Sequence, residues 1–291
     1  MEVNQRQQTT IGKPVGYRGF GLWSSRDVEI EFRPADPNTG IVFVRTDCDH
    51  ARIPGHVQFR IEAPRRTTLA CNGVQVEMVE HIMAALAGLQ IDNCEVWVNE
   101  SEMPGADGSS LPFVEVLQQA GIQRQEALRS VIRVTDVTRV GDEETWIEAR
   151  PAKKDEFAVQ YRLDYGSDSI IGRESFRSKI TPEIFVCELA PARTFILEHE
   201  AQWLRSQGLA QRVTPQDVLV FGAEGVIDNE LRFEDECVRH KTLDLIGDLA
   251  LAGCDFIGQF VAQKSGHRLN AQLAGVLLAE NPSQNKWQRS A

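Results

Sequence analysis

The chain has 291 residues, of which 42% are hydrophobic and 25% are charged, and its formal net charge is −11. This composition is typical of a soluble globular protein with one large domain or two domains of ordinary size. The negative charge argues against general nucleic-acid binding, because a phosphate backbone would be repelled. No apolar run approaches the roughly 20 residues that span a bilayer, and the first residues lack the pattern of a signal peptide. With six scattered cysteines and no C-x-x-C pair, these features predict a cytoplasmic protein with reduced thiols.

The first half of the chain alternates short strands with two helices. One helix is predicted over residues 77–87, which are rich in Ala, Met, Leu and Glu and are followed by Gly88. A second is predicted over residues 112–120, with proline in its first turn. Residues 121–130 are polar and weakly patterned, so they are predicted to be a linker. The strands of this half are predicted at 28–32, 41–45, 56–61 and 94–98.

The second half repeats this plan. Helices are predicted over residues 234–252 and 271–279. Strands are predicted at 132–137, 146–149, 157–163 and 256–262. A weak internal repeat relates the two halves, since V-E-H and V-R-H are each followed by a helix, a glycine and a strand. The alternative is that both patterns are ordinary amphipathic helices. We predict an α+β fold with two similar domains, residues 1–125 and 126–291, each a small β-sheet with packed helices.

Histidines and carboxylates on two predicted helices indicate a metal site. His240, Asp244 and Asp248 recur every four residues, so on a helix they form one polar stripe. Two histidines and one carboxylate form the ligand set of a hydrolytic zinc site with an open position, and here the histidines would be His81 and His240. Glu80 lies about 100° from His81 around its helix, where it would face water rather than metal. The pattern predicts a zinc hydrolase with its site between the domains.

Each motif alone also has a purely structural interpretation. His240 and Asp244 at this spacing commonly form a hydrogen bond on a helix surface, and residues 103–110 are typical of a plain Asp-Gly turn. Two features favour the metal site. The polar stripe interrupts an otherwise apolar helix, and a predicted loop, K-S-G-H, delivers His267 after the next strand.

Longer motifs occur together in the chain. They are V-E-H-x-x-A-A-L-A-G, P-x-x-D-G-S-S-x-P-F, A-R-T-F, L-R-F-E-D-E-x-V-R-H-K-x-L-D-x-I-G-D-L and K-S-G-H. In this order they resemble the UDP-3-O-acyl-N-acetylglucosamine deacetylases, the zinc enzymes of lipid A biosynthesis, over nearly the whole chain. The resemblance implies hydrolysis of the N-acetyl amide with release of acetate, which is the committed step of that synthesis. The implied partner is a UDP-linked acylated amino sugar, bound by a monomer.

The resemblance also implies the roles of the reacting side chains. Glu80 would be the general base, and His267 would stabilise the oxyanion or protonate the leaving amine. Asp248 would orient His267, and Thr194 would lend the oxyanion a hydrogen bond. The implied zinc ligands are His81, His240 and Asp244. Iron(II) also suits these imidazole and carboxylate donors.

Substrate binding is implied for a second group of residues. Lys241 and Lys264 would contact the nucleotide at its phosphates, and so supply local positive charge in an acidic protein. Phe195 would lie near the sugar or the uracil, and Asp107 would be structural. A βαβ insert near 184–220 would form a hydrophobic tunnel for the acyl chain.

The chain departs from the family pattern in segments that shape the cleft. Trp23 stands where the family usually has histidine, and Ser25 where it has glycine. Cys71 and Ile196 are also unusual, and residues 164–167 lack an expected His-Pro pair. Two alternatives remain: a paralogue that deacetylates another N-acyl amino-sugar nucleotide, and a non-catalytic zinc or sugar-nucleotide binding protein. The intact base and histidine count against the second.

Overall fold

A computed structural model of the protein describes residues 5–283. The strands are β1 (Gln7–Ile11), β2 (Val15–Phe20), β3 (Asp27–Pro34), β4 (Ile41–Arg45), β5 (Ala51–Pro54), β6 (Arg60–Ile61), β7 (Thr68–Cys71), β8 (Val74–Glu77), β9 (Cys94–Val98), β10 (Ile122–Leu128), β11 (Val131–Arg133), β12 (Thr138–Gly141), β13 (Trp146–Arg150), β14 (Phe157–Asp164), β15 (Arg173–Lys179), β16 (Phe195–Leu197), β17 (Leu219–Gly222), β18 (Gly225–Val226) and β19 (Asp255–Gln263). The helices are α1 (Glu80–Gly88), α2 (Leu111–Ala120), α3 (Pro182–Ile184), α4 (Glu198–Ser206), α5 (Glu236–Ala250) and α6 (His267–Glu280).

The two main sheets have the same topology. The first has the strand order β2-β3-β9-β4-β5, and the second has β12-β13-β19-β14-β15, with β11 beside β19. In both sheets the central strand pairs antiparallel with one neighbour and parallel with the other. A helix precedes each central strand, α1 before β9 and α5 before β19. The predicted α+β fold with two similar halves is therefore confirmed, while the boundary between residues 125 and 126 stays a prediction.

The strand β3 of the first sheet alternates buried and more exposed residues. In β3, Val28, Ile30 and Phe32 are buried, and the residues between them are more exposed, as expected for a strand with one face on the core. Unlike β3, which has one exposed face, the helix α5 is buried on nearly all sides between α1, α6 and the second sheet. Polar side chains on α5 are therefore shielded from water and need partners inside the protein.

The helices α1 and α5 pack with their backbones in contact. A Cβ atom added at Gly247 of α5 would lie 2.2 Å from the carbonyl oxygen of Glu80 and 3.1 Å from the nitrogen of Ala84 on α1. A side chain at this position would thus overlap the backbone of the other half. Glycine permits the close approach that brings the polar residues of the two helices together.

A cluster of four charges joins the halves at a second place. Arg6 contacts Asp92 at 2.6 Å and Asp255 at 2.7 Å, while Arg129 contacts the same carboxylates at 3.0 Å and 3.3 Å. Asp92 is buried, and it precedes the central strand of the first sheet. Asp255 begins the central strand of the second. Two arginines therefore tie the starts of both central strands together.

Three predicted elements differ in the structure. The predicted linker at 121–130 is mostly β10, which pairs antiparallel with β1. Residues 56–61 alternate in polarity but form a 3-10 turn, Val57–Phe59, before the short β6, and the Nδ1 atom of His56 accepts the backbone N–H of Gln58. The helix predicted from residue 77 begins at Glu80, because Glu77 completes β8 and Met78 has a φ of 58°.

The position of His267 is also corrected. It was predicted in a loop, but it is the first residue of α6, which was expected to begin at residue 271. The residue before it, Gly266, offers no side-chain cap, so the sequence carries no start signal there. Within residues 195–222, β16, α4 and β17 form a strand–helix–strand unit with parallel strands, which begins later than the predicted insert.

The helices of residues 5–283 give no candidate membrane span, since none combines the required length and apolarity.

The contact at Gly247 predicts opposite effects for two glycine substitutions. Gly247→Ala should lower the free energy of unfolding by about 1–3 kcal/mol, because its methyl group overlaps α1. Gly275→Ala, in α6, is the control, since a Cβ there meets nothing within 4 Å. It should raise stability by about 0.5–1 kcal/mol through helix propensity. Urea unfolding of both variants tests this, and equal effects would contradict the contact.

Candidate metal centre

Three side chains converge between α1 and α5. The Nε2 atoms of His81 and His240 lie 3.6 Å and 3.4 Å from the Oδ1 atom of Asp244. All three residues are buried, and one ligand atom from each lies within 4.8 Å of the others. Among the described residues this is the one such group of three. The structure thus places the three predicted ligands close together, and their role as ligands stays a prediction.

The donor set fits a metal ion. The Nδ1 atom of His240 lies 3.1 Å from the carbonyl oxygen of Ala192, which as an acceptor fixes the ring proton on Nδ1 and leaves a lone pair on Nε2. Burial lowers the pKa of His81 to about 3, and it also lowers the pKa of His240, so both imidazoles are neutral. The Oδ1 atom of Asp244 is buried and has no hydrogen-bond donor among residues 5–283. Lone pairs that face one another in a buried site call for a cation.

Lys241 adds a fixed positive charge to the centre. Its Nζ atom donates to the Oδ2 atom of Asp244 at 2.6 Å. Burial acts against the ammonium, but the carboxylate of Asp244 raises the pKa of Lys241 above its ordinary value. Burial likewise opposes the charge of Asp244, yet the ammonium of Lys241 beside it holds the pKa of Asp244 well below its ordinary value. The carboxylate therefore stays ionised, with Oδ1 left for the metal.

Glu80 begins α1, next to the ligand His81, and it is buried. Its Oε2 atom accepts the backbone N–H of Thr67 at 3.0 Å, while its Oε1 atom lies 3.9 Å from the Nε2 atom of His267. Burial raises the pKa of Glu80 to about 7, although the nearby His267 acts in the opposite direction. One oxygen is thus held by the backbone, and the other faces the histidine.

Asp248 holds His267 in place. Its Oδ2 atom lies 2.9 Å from the Nδ1 atom of His267 and accepts the side-chain N–H of Asn270 at 2.9 Å. Burial disfavours the charged imidazole, but Asp248 and Glu80 outweigh it and raise the pKa of His267 to about 9. The histidine is therefore cationic at neutral pH, in contrast to the two neutral ligand histidines.

The site opens into a cleft of about 650 Å³. Thr194, Phe195, Lys241 and Lys264 all line it, as do Glu80, His267 and the three metal-site residues. The ring of Phe195 lies 6.3 Å from that of His240. Thr194 is held by its backbone, whose N–H donates to the carbonyl of Gly108 at 2.7 Å. The structure therefore brings together every residue that was predicted for the site.

Only some of the departures from the family pattern line this cleft. Trp23 and Ile196 line it, and the guanidinium of Arg66 lies 4.9 Å from the centre of the Trp23 ring. Ser25 adopts a φ of 59°, a left-handed conformation in which glycine is less strained. Cys71 ends β7 and is half-buried. Asp107, predicted as structural, pairs with Arg232 at 2.7 Å.

Residues that the sequence reasoning missed support the site. Thr67 bonds to both Glu80 and Asp248, and Asn270 bonds to Asp248. A fully buried pair, Arg193 and Glu236 at 2.8 Å, braces the segment before Thr194. The charged residues belong to the long motifs, whereas Thr67 begins a short Thr-Thr-Leu segment for which the sequence predicted no role.

The fold and the site together define a candidate metal centre between two similar halves, with a carboxylate and an imidazolium beside the three candidate ligands. The sequence profile of the family described as "UDP-3-O-acyl N-acetylglycosamine deacetylase" (LpxC) matches residues 8–279. The chain belongs to this family, so the resemblance drawn from the motifs is confirmed.

Individual relatives agree over most of the chain. It is 40% identical over 265 residues to the UDP-3-O-acyl-N-acetylglucosamine deacetylase of Oleidesulfovibrio alaskensis, an alignment that covers 90% of this chain and 86% of the relative. It is 37% identical over 292 residues to the protein of the same name from Haemophilus influenzae, with 97% and 92% covered. The protein of that name from a Shewanella species, strain W3-18-1, is 38% identical over 289 residues, again with 97% and 92% covered.

The geometry predicts that Asp244 and Asp248, one helical turn apart, differ in their effect on metal binding. Asp244→Asn removes the charge that faces both imidazoles. Loss of a residue that only orients a ligand typically lowers metal affinity by about 10- to 100-fold, and the loss in Asp244→Asn should be larger than this. Asp248→Asn is the control, and it should retain one ion per chain. Elemental analysis and titration against a competing chelator measure both. Full metal content in Asp244→Asn would exclude it as a ligand.

Proposed function

We propose that this protein hydrolyses the N-acetyl amide of a UDP-3-O-acyl-N-acetylglucosamine and releases acetate, as the committed step of lipid A synthesis. The observation that carries the proposal is the position of Glu80 and His267 beside the three candidate ligands, in one cleft. The names of the relatives supply the substrate class. A cytoplasmic location and a monomeric state remain predictions.

We propose that the ion is zinc, held by His81, His240 and Asp244. Two imidazoles and one carboxylate leave a fourth position open, as in hydrolytic zinc sites, and iron(II) suits the same donors. The ion would supply Lewis acidity, which lowers the pKa of water and polarises the amide carbonyl. Lys241 balances the charge of Asp244, so the carboxylate presents its free oxygen to the site.

Glu80 acts as the general base. An amide is a poor electrophile, so the attacking water must lose a proton as it adds to the carbonyl carbon. The pKa of Glu80, raised to about 7, lies in the range where a carboxylate accepts and returns a proton near neutral pH. The bond from the backbone of Thr67 fixes the Oε2 atom, so Oε1 is left for the water.

His267 acts as the cation of the site. Its Nδ1 atom is engaged by Asp248, which leaves the Nε2 proton for the developing oxyanion or the departing amine. Thr194, also in the cleft, adds a hydrogen bond to the oxyanion in this proposal. Glu80 and His267 thus differ in charge. Glu80 removes the proton from water, and His267 donates its proton to the oxyanion or the amine.

Substrate binding follows from the lining of the same cleft. Lys264 and Arg268 line it near His267 and are suited to the diphosphate of a sugar nucleotide. Leu204, Val213 and Val220 line another part, which is apolar and suited to an acyl chain. We propose that Phe195 packs against the sugar or the uracil, and that Trp23 and Ile196 adjust the passage of the acyl chain.

The function is tested by acetate release from UDP-3-O-(3-hydroxyacyl)-N-acetylglucosamine, using protein of measured zinc content. Turnover that a chelator abolishes and zinc restores supports the proposal. Bound zinc without acetate release would overturn the substrate, and a panel of other N-acyl amino-sugar nucleotides would then identify the paralogous activity. Absence of both metal and turnover would leave a binding protein.

Glu80→Gln tests the base. The amide keeps the size of the side chain but cannot accept the proton, so kcat should fall by about 100- to 10,000-fold. Zinc content should stay at one per chain, because Glu80 is not among the ligands. Steady-state kinetics and elemental analysis measure the two results. Wild-type turnover in this variant would remove Glu80 from the mechanism.

Asp248→Asn tests the cationic histidine through the pH profile. The pKa of His267 is raised to about 9 largely by Asp248 and Glu80 against burial, so the imidazolium persists below that pH and is lost as the pH rises through it. Removing the charge of Asp248 lowers this pKa. The basic limb of kcat/KM should therefore move to lower pH, while an unchanged limb would show that another group sets it.

A further inference from the structure

Thr67 lies between the two halves of the proposed reaction machinery and is fully buried. Its backbone N–H donates to the Oε2 atom of Glu80 at 3.0 Å, and its Oγ1 atom donates to the Oδ1 atom of Asp248 at 2.6 Å. Glu80 belongs to α1 and Asp248 to α5. One residue thus bonds to a carboxylate on each of the two central helices.

The hydroxyl of Thr67 fixes the rotation of the Asp248 carboxylate. The Oδ2 atom of Asp248 faces the Nδ1 atom of His267 and accepts from Asn270, both at 2.9 Å. Within residues 5–283, the donor to the other oxygen, Oδ1, is the hydroxyl of Thr67. Without that bond the carboxylate is held at one oxygen alone, and it can turn together with the imidazole it orients.

We propose that Thr67 is a positioning residue that holds Glu80 and the Asp248–His267 pair at a fixed distance and orientation relative to each other. The inference rests on the proposed function. Thr67 is not among the residues that line the cleft, so its hydroxyl acts through Asp248 rather than on the substrate. The distance that it maintains is the 3.9 Å between the Oε1 atom of Glu80 and the Nε2 atom of His267.

The next residue provides a matched control. Thr68 is also buried, but its Oγ1 atom has no hydrogen-bond partner among the described residues. Thr67→Val and Thr68→Val therefore make the same isosteric change at adjacent buried positions, and only the first removes a bond to the site. Thr67→Ser restores the hydroxyl without the methyl group.

Kinetics should separate the three variants. Thr67→Val should lower kcat by about 10- to 100-fold, because misaligned acid and base groups lose part of their contribution, while KM changes by less than about twofold. Thr67→Ser should recover most of kcat, Thr68→Val should match the wild type, and all should retain one zinc per chain. Wild-type kcat in Thr67→Val, or an equal loss in both valine variants, would overturn the proposal.

A spectroscopic measurement decides the same point without turnover. The Nδ1 proton of His267, assigned by its loss in His267→Gln, reports on its hydrogen bond to Asp248. In zinc-loaded protein its resonance should shift in Thr67→Val and stay in place in Thr68→Val. An unshifted resonance in Thr67→Val would overturn the positioning role. Failure of the wild type to release acetate would instead overturn the proposed function and leave this comparison valid.

Discussion

The site depends on the contact between the backbones of α1 and α5. Gly247 lets the two helices approach until a Cβ on one would lie 2.2 Å from a carbonyl oxygen of the other. At that separation, side chains from different halves of the molecule reach one another: His81 comes from α1, and Asp244 from α5. The same contact places Glu80 near His267. A wider helix spacing would leave each half with an incomplete set of polar groups buried without partners.

The charges of the site are sorted by their neighbours rather than by residue type. Three histidines lie close together, but two are neutral and one is cationic. His81 and His240 are desolvated, whereas His267 is paired with Asp248 and faces Glu80. The carboxylates also differ, since Lys241 keeps Asp244 ionised, whereas burial raises the pKa of Glu80 to about 7. Metal binding and proton transfer can therefore take place side by side.

Local patterns and the longer motifs pointed to the three candidate ligands, which the structure places close together. His240 and Asp244 lie one turn apart, and Glu80 adjoins His81, so a single helix places each pair. Thr67 could not be predicted, because its partners lie 13 and 181 residues away. The pairing of β10 with β1 is similarly non-local, and the exposed residues of β10 imitate a linker. The duplicated sheets were predicted because each half repeats one local order of helix, glycine and strand.

The four-charge cluster of Arg6, Asp92, Arg129 and Asp255 bears on the order in which the molecule is assembled during synthesis. Arg6 is made well before its partner Asp255, which begins β19, the last strand among the described residues. That strand is central in the second sheet, so the sheet cannot close until residues 255–263 have been made. The three candidate ligands meet where the completed halves join. A nascent chain therefore holds them apart, and the complete donor set forms only after α5 has packed against α1.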